Sequence, residues 1–292
     1  MTDIKTYSEI YLAARRKLRE AGIESFDLDS KLMASKAAGK PVAEFLRDAR
    51  LYVADDTFEK AMDEMVSRRV SGEPVAYITG QWEFYGLPLV ITEDVLIPRD
   101  DTEVLVNQAI ELLKAKGPNT RVLDLCCGSG CVGLSIAYTI RGARIVMADI
   151  SERALAVSRA NSLMNNLTKN VTCLKADALD DPPMIFGRFD LIVCNPPYIP
   201  TKDVPELDAS VKDYEPRAAL DGGEDGLDFF QEIAKRWKAV LKSGGVMMFE
   251  CGAGQSGSIA DILRANGFTD IKRYKDTLEI ERVVTGKYTG IV

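Results

Sequence analysis

An apolar run of the kind that forms a buried strand, "FDLIVC", is followed at once by Asn195, Pro196, Pro197 and Tyr198. Proline after Asn195 disfavours a helical conformation there, and two successive prolines fix φ and remove two N–H donors. The pattern predicts a stiff loop in which the side-chain carbonyl of Asn195 and the backbone carbonyl of Pro196 accept hydrogen bonds. Two such acceptors match the two N–H bonds of a planar NH₂ group, and Tyr198 can cover the face of an amide or base.

A planar NH₂ nitrogen is a poor nucleophile because its lone pair is delocalised. Methylation of such a nitrogen needs no strong base, since the proton can leave after the nitrogen has become cationic. The methylation is helped instead by alignment of the nitrogen lone pair with the methyl donor, and by acceptors that stabilise the positive charge growing on the nitrogen. The chain contains no histidine, so it lacks the commonest general base and every Ser-His or Cys-His pair. Methyl transfer to an NH₂ group is chemistry that this composition permits.

A second candidate site is the Gly-rich turn in "VLDLCCGSG", which separates a predicted strand from a predicted helix. In a doubly wound sheet the ligand lies beyond the carboxyl ends of the strands, where such a turn sits. Gly128 and Gly130 let the backbone approach a ligand closely, and Asp124 offers a carboxylate to a cation. Asp149 ends the next strand about 20 residues later, the offset at which an acid accepts hydrogen bonds from ribose hydroxyls.

The third strand also ends near an acid, Asp177, beside Ala178. Three strand ends with acids suit a ligand that has an ammonium, a ribose and an adenine, and S-adenosylmethionine has all three. An Asp after a strand is often a helix cap or turn former, so Asp177 stays open between the two roles. The predicted cofactor-binding residues are Asp124, Cys126, Cys127, Gly128, Ser129, Gly130, Asp149, Ile150, Asp177, Ala178 and Asn195.

Composition narrows the remaining classes of function. The net charge of −7 argues against binding to a nucleic-acid backbone. No apolar run approaches the roughly 20 residues that span a bilayer, and no signal-peptide core is recognisable, so the expected location is the cytoplasm. The six cysteines form no C-x-x-C pair. Without histidine, this argues against a zinc site and indicates reduced, packed thiols; no metal is predicted.

The elements that must position these residues fall into three segments. Residues 1–72 have helical periodicity and predict a small all-α bundle, and residues 73–101 predict a β-hairpin linker. Residues 102–292 alternate strand and helix, which predicts an α/β, doubly wound, Rossmann-like parallel sheet. Within that domain, "GLDFFQEIAKRWKAVLKSGG" is predicted to be one helix that stops at its glycines.

The tetrapeptide together with "DLCCGSG" resembles class I methyltransferases that modify planar NH₂ nitrogens, those of DNA adenine and of protein glutamine. The segments "GEPVAYITG", "VLIPRDDTEVLV" and "YEPRAALDGGEDGLDFF" resemble one branch, the peptide chain release factor glutamine N5-methyltransferases. The resemblance covers nearly the whole chain. It implies methyl transfer to the glutamine of the Gly-Gly-Gln loop of class I release factors, with the bundle and the hairpin holding the factor.

The chain departs from that family in two places. Asp100 and Asp101 follow Arg99 where the family usually has proline and glutamate, and Cys126 stands where its Gly-rich loop often begins with glycine. The resemblance implies that Arg99 and Glu103 belong to the substrate pocket, and a pairing of the two that holds the hairpin is equally compatible with the sequence.

Two alternative functions stay open at this point. An adenine-N6 enzyme would share the tetrapeptide but would need a basic groove and a region that holds a flipped base. A non-catalytic nucleotide-binding or scaffold protein could use the same fold, although intact Asn195 and both prolines argue against it.

Overall fold

The computed structural model describes residues 5–117 and 119–290, which form two compact units. The first comprises the chain up to Gln81 together with Asp208–Tyr214, and the second comprises Trp82–Leu207 and the chain from Glu215 onward. The sequence predicted divisions at 72/73 and 101/102. The contribution of residues 208–214 to the first unit is not foreseen by any local pattern, because these residues lie far along the chain from the rest of it.

The first unit is helical because its apolar residues recur at helical spacing. Thr6 caps the first helix: its hydroxyl accepts the Glu9 N–H at 3.2 Å, and the Glu9 carboxylate accepts the Thr6 N–H at 2.7 Å. Within the unit, the Tyr214 hydroxyl donates to the Ser71 carbonyl at 3.0 Å. The helices are α1 (Tyr7–Glu20), α2 (Phe26–Ala38), α3 (Val42–Asp48), α4 (Thr57–Val70), α5 (Val75–Thr79) and α9 (Ala209–Lys212).

The segment predicted as a β-hairpin linker begins as a helix, so that part of the prediction was wrong. Helix α5 occupies residues 75–79, with Pro74 at the cap position before it and Gly80 in the left-handed region (φ 69°) ending it. These two signals override the β propensity of the residues between them. The hairpin itself is shorter: β1 (Gln81–Phe84) and β2 (Leu87–Val90), joined by Tyr85 and Gly86 at positive φ.

A seven-stranded sheet organises the second unit, as the doubly wound pattern predicted. Its strands are β3 (Arg121–Leu125), β4 (Arg144–Asp149), β5 (Val171–Lys175), β6 (Phe189–Cys194), β7 (Leu241–Glu250), β8 (Phe268–Lys275) and β9 (Glu281–Tyr288). The strand order is β5-β4-β3-β6-β7-β9-β8, parallel except that β9 runs antiparallel to β7 and β8. Strands β4 and β5 lie on one side of β3 and the later strands lie on the other, so the order reverses between β3 and β6.

Within the part of the chain that the structure describes, five α-helices accompany the sheet. Among residues 5–117 and 119–290, no helix is both long and apolar enough to span a membrane. The helices of the second unit are α6 (Thr102–Lys116), α7 (Cys131–Thr139), α8 (Glu152–Met164), α10 (Asp228–Arg236) and α11 (Ser256–Ala265).

The prediction of one long helix that stops at "KSGG" was wrong about where the helix ends. Helix α10 ends at Arg236, one 3₁₀ turn follows, and the two glycines lie inside β7. The pairing of β6 with β7 shifts register there, from Phe189↔Leu241 to Leu191↔Val246. Glycines at a bulge accommodate the extra residues and leave the strand to continue.

Candidate functional site

A cavity of about 370 Å³ lies at the carboxyl ends of the parallel strands. The strand ends are level there, since Leu125 pairs with Ala148 on one side and with Cys194 on the other. Twelve of the predicted site residues form part of its walls: Arg99, Asp124, Cys126, Cys127, Gly128, Ser129, Asp149, Ile150, Asp177, Ala178, Asn195 and Pro197.

The Gly-rich turn after β3 depends on left-handed backbone at alternate positions. Cys126, Gly128 and Gly130 have φ of 59°, 53° and 80°. A Cβ on Gly130 would lie 2.9 Å from the sulfur of Met147, so this glycine permits close packing of the turn and is not part of the cavity wall. Gly128 lines the cavity, and a Cβ there would meet no atom within 4 Å. The turn therefore presents bare backbone to the cavity at Gly128.

Asp149, at the end of β4, is fixed by backbone donors on both sides. Its Oδ2 accepts the Gly128 N–H at 2.9 Å, and its Oδ1 accepts the Ser151 N–H at 2.9 Å. Burial raises the pKa of this carboxyl, and the two backbone bonds act in the opposite direction. Each oxygen keeps a further lone pair for a ligand hydroxyl. The geometry suits the ribose role that the sequence predicted.

Asp124 is more deeply buried, with 2% of its surface exposed. Its Oδ2 accepts the Gly133 N–H at 2.8 Å in the first turn of α7. Burial raises its pKa to about 7, against the lowering effect of that backbone bond. A cationic ligand group nearby would favour the charged form of this carboxyl, and Asp124 does line the cavity.

The residues present fit S-adenosylmethionine. A carboxylate held for ribose hydroxyls, a second buried carboxylate and the bare backbone at Gly128 supply the polar contacts. Apolar walls that suit a planar base come from Ile150, Ala178, Leu179 and Phe229, and the cavity volume lies within the range of small-molecule sites.

The tetrapeptide loop contributes Asn195 and Pro197 to the cavity. The side-chain nitrogen of Asn195 donates to the Thr102 hydroxyl at 3.4 Å, which leaves its carbonyl oxygen for another partner. Pro196 and Tyr198 are not among the residues that line the cavity, and the roles predicted for them stay predictions. The Tyr198 ring instead packs beside Gly252, where a Cβ would lie 3.3 Å from it, and burial raises the pKa of its hydroxyl.

A glycine-containing turn braces this loop, and the sequence did not predict it. The Ile199 N–H donates to the Leu220 carbonyl at 3.0 Å, and the Gly222 N–H donates to the Ile199 carbonyl at 2.8 Å. A Cβ on Gly222 would lie 2.6 Å from the Tyr198 Cα and 2.8 Å from the Pro197 oxygen. The "LDGG" letters within the family-like segment were the available signal, because adjacent glycines often mark a close backbone approach.

Arg99 and Glu103 differ in their position relative to the cavity. Arg99 lines the cavity and forms an ion pair with Glu215, which also accepts the Ile97 N–H at 3.3 Å. Glu103 is not among the residues that line the cavity, and the ion-pair partner of Arg99 is Glu215, whereas the alternative that the sequence left open paired Arg99 with Glu103. Burial raises the pKa of Glu215, and the Arg99 charge opposes that rise. The partner could not be read from the sequence because it lies 116 residues from Arg99.

The cysteines around the cavity are free thiols. All six are unpaired, and burial raises the pKa of Cys131 to about 12 and that of Cys127 well above its usual value. These two groups therefore stay protonated at neutral pH. Within the described ranges, no cluster of three or more Cys, Asp or Glu side chains is arranged to hold a metal ion.

The sheet and its cavity define a methyltransferase of the doubly wound class, whose members in general use S-adenosylmethionine. Family models match residues 100–209 as a methyltransferase small domain and residues 9–80 as a PrmC N-terminal domain. The chain belongs to the release factor glutamine methyltransferase family, as its similarity to curated relatives over nearly its whole length shows.

Two relatives illustrate that similarity. The release factor glutamine methyltransferase of Clostridium acetobutylicum is 37% identical over 274 residues, which cover 94% of this chain and 95% of that protein. The protein of the same name from Geobacter sulfurreducens is 37% identical over 294 residues, covering 98% of each. A crystal structure of a methyltransferase from Pyrococcus furiosus, 17% identical, matches with a TM-score of 0.51 over 78% of this chain and 100% of that chain, and it shows the fold alone.

Replacing Asp149 by alanine is expected to raise the Kd for S-adenosylmethionine by about 10- to 100-fold. Hydrogen bonds to a charged acceptor contribute about 1.5–3 kcal/mol each, and the acceptor for the ribose would be lost. Isothermal titration calorimetry measures the change, with Asp180→Ala, an exposed acid in the loop after β5, as the matched control. An unchanged Kd for Asp149→Ala would remove Asp149 from the cofactor site.

In the ligand-free protein, the contribution of Asp124 to stability is expected to be lost as pH rises from about 4 through 7. The folded-state pKa of Asp124, about 7, lies above its unfolded value, so its contribution is fully present below about pH 4 and is lost as pH rises through 7. Asp124→Asn should therefore raise the free energy of unfolding at pH 8, on the order of a few kcal/mol at most, and change it little at pH 4.

Urea titrations at pH 4, 6 and 8 test this, with the exposed Asp203→Asn as control. Burial also raises the pKa of Glu250 to about 7, so part of the pH dependence should survive in Asp124→Asn. Equal pH slopes for Asp124→Asn and the wild type would contradict the assignment.

Proposed function

We propose that the protein transfers the methyl group of S-adenosylmethionine to the side-chain amide nitrogen, N5, of the glutamine in the Gly-Gly-Gln motif of class I peptide chain release factors. The single observation that carries the proposal is the position of Asn195. It lines the same cavity as Asp149, and its amide nitrogen is already engaged by Thr102. Membership of the family favours the glutamine amide over the adenine-N6 alternative.

The end of the cavity that is lined by Asp124, Gly128 and Asp149 binds and orients the cofactor. Asp149, held by the N–H groups of Gly128 and Ser151, accepts the ribose hydroxyls. The backbone at Gly128 gives the ligand room, and Asp124 attracts the ammonium group. When bound, S-adenosylmethionine supplies an electrophilic methyl group on a sulfonium sulfur.

The end of the cavity that is lined by Asn195 and Pro197 orients the carboxamide of the substrate glutamine. The carbonyl oxygen of Asn195 accepts one N–H of the glutamine amide, which orients its nitrogen and stabilises the positive charge that grows there. Pro197 keeps the loop stiff at the cavity wall. We also propose that the backbone carbonyl of Pro196 accepts the second N–H, as the acceptor pair in the sequence suggested.

No side chain is required as a strong base in this scheme. The amide nitrogen loses its proton only after it has gained the methyl group, and by then the proton is acidic enough to pass to solvent. The absence of histidine from the chain is consistent with such a site.

Release factors are the proposed partners, and the helical unit is proposed to contribute to holding them. Because these factors act on ribosomes, we propose that the protein works in the cytoplasm. No role for nucleic acid or a metal is included in the proposal.

The test is to incubate the protein with S-adenosylmethionine and a purified class I release factor, and then to sequence the peptides by tandem mass spectrometry. A mass gain of one CH₂ on the glutamine of Gly-Gly-Gln is expected. A factor with that glutamine replaced by asparagine is the matched control. Transfer to adenine in duplex DNA instead would favour the alternative enzyme, and transfer to neither would favour a scaffold.

A further inference from the structure

A buried carboxyl group, Glu250, lies directly behind the loop that carries Asn195. In the parallel pairing of β6 with β7, Cys194 pairs with Phe249, so the next residues along the two strands are Asn195 and Glu250. Glu250 is 3% exposed and does not line the cavity, whereas Asn195 and Thr102 both do. Its Oε2 has no hydrogen-bond partner among the described residues. A buried carboxylate oxygen without a partner is costly and calls for an explanation.

The polar neighbours of this carboxyl are the groups that hold Asn195. The Asn195 side-chain nitrogen donates to the Thr102 hydroxyl at 3.4 Å. The Thr102 hydroxyl and the Asn195 amide are also the two groups that favour the ionised form of Glu250 through hydrogen bonding. Because an ionised carboxylate only accepts hydrogen bonds, Thr102 or Asn195 must be the donor in any hydrogen bond that it makes with them.

From this arrangement we infer that Glu250 is a positioning residue, whose carboxylate acts with Thr102 to keep the amide nitrogen of Asn195 turned away from the substrate and its carbonyl oxygen turned toward the glutamine amide. The inference rests on the proposed function for its catalytic consequence. Its structural content, the orientation of one amide by one carboxylate, does not depend on which substrate is methylated.

The orientation depends on the charge of Glu250. An ionised Glu250 can only accept, so Thr102 and Asn195 both donate toward it. A protonated Glu250 can donate, and the amide of Asn195 is then free to turn over and present its NH₂ to the cavity. In that orientation the NH₂ of Asn195 would face the NH₂ of the substrate glutamine, and two donors cannot form a hydrogen bond with each other.

The charged and titratable groups around Glu250 come from every neighbouring element. Its pKa is raised to about 7, chiefly by burial; the Asp101 charge acts in the same direction, and the Arg282 charge acts against it. Arg282 is itself paired with Asp101 at 2.8 Å. The thiols of Cys131 and Cys251 and the hydroxyl of Tyr198 also face it, since the Glu250 charge raises the pKa of each. None of these three neutral groups titrates between pH 6 and 9.

Steady-state kinetics of release factor methylation from pH 6 to 9 tests the inference. For the wild type, kcat is expected to rise about tenfold through pH 7. For Glu250→Gln, the neutral counterpart, this rise should vanish and kcat at pH 8.5 should be at least tenfold below the wild type, with the Kd for S-adenosylmethionine within about twofold. The inference would be overturned if Glu250→Gln had the wild-type kcat at pH 8.5, or if its kcat still rose through pH 7.

Thr102 offers a matched pair of variants. Thr102→Ser keeps the hydroxyl and should retain most of the wild-type kcat and its pH dependence, whereas Thr102→Val removes the hydroxyl at nearly constant volume and should behave as Glu250→Gln. The double variant Thr102→Val/Glu250→Gln should be no worse than either single variant, because both remove the same restraint. Fully additive losses would contradict a shared role.

A second measurement does not depend on activity. In the wild type, the side-chain ¹H–¹⁵N signals of Asn195, assigned by their loss in Asn195→Ala, should shift with a midpoint near pH 7, and they should not titrate in Glu250→Gln. Absence of this titration would overturn the inference even if the protein methylates release factors. Presence of the titration in a protein that methylates no release factor would sustain it and refute the proposed function.

Discussion

Asn195→Ala is expected to lower kcat for release factor methylation by about a thousandfold while leaving the Kd for S-adenosylmethionine within about threefold. The amide oxygen of Asn195 is the acceptor proposed to align the substrate nitrogen and to stabilise its growing charge. Loss of a single preorganised group of this kind costs about 10²–10³ in kcat. Cofactor affinity should be spared because the groups proposed to bind the cofactor are Asp149 and the turn at Gly128, which are hydrogen-bonded to each other.

The measurement combines steady-state kinetics with calorimetry on the same preparations. Asn107→Ala is the matched control, since Asn107 is an exposed asparagine on α6 whose side-chain oxygen accepts from the Tyr85 hydroxyl at 2.8 Å. If kcat and cofactor affinity fell by equal factors in Asn195→Ala, its role would be binding and not alignment.

Gly222→Ala is expected to lower kcat by about a hundredfold, although Gly222 does not line the cavity. The added Cβ would lie 2.6 Å from the Tyr198 Cα and 2.8 Å from the Pro197 oxygen, both backbone atoms that cannot turn aside. The loop must therefore shift, and a displacement of about 1 Å at a catalytic group can cost about 10²-fold. The free energy of unfolding should also fall, by about 1–3 kcal/mol.

Gly257→Ala provides the control for this substitution. Gly257 lies on α11, and a Cβ there would meet no atom within 4 Å. Alanine in a helix is favoured over glycine by up to about 1 kcal/mol, so this variant should be as stable as the wild type or more so, with unchanged kcat. Wild-type kcat in a folded Gly222→Ala would show that the loop does not depend on its brace.

The residues that could be predicted from the sequence are those whose chemistry follows directly from their place in the chain. Asp149 and the Gly-rich turn occur at strand ends, and parallel strands bring their carboxyl ends to one edge. The sheet could be predicted for the same reason, because alternating strand and helix patterns leave few topologies.

The contacts that the sequence did not predict join distant parts of the chain. Glu215 is the ion-pair partner of Arg99, and Glu250 meets Asn195 only because β6 and β7 are neighbours. The position of Tyr198 beside Gly252 is likewise a tertiary contact. The "KSGG" error had a different source, since a glycine pair marks a helix end and a strand bulge with the same letters.

The helical unit is built from two separate stretches of the chain, and this has a practical consequence for anyone who wishes to produce it as a fragment. A truncation after Gln81 would match the PrmC N-terminal domain model, yet it would omit Asp208–Tyr214 and with them the Tyr214 hydroxyl that bonds the Ser71 carbonyl. Transplanting the unit onto a different enzyme would therefore require two grafts, one terminal and one internal. A swap of the terminal piece alone would leave an incomplete chimera.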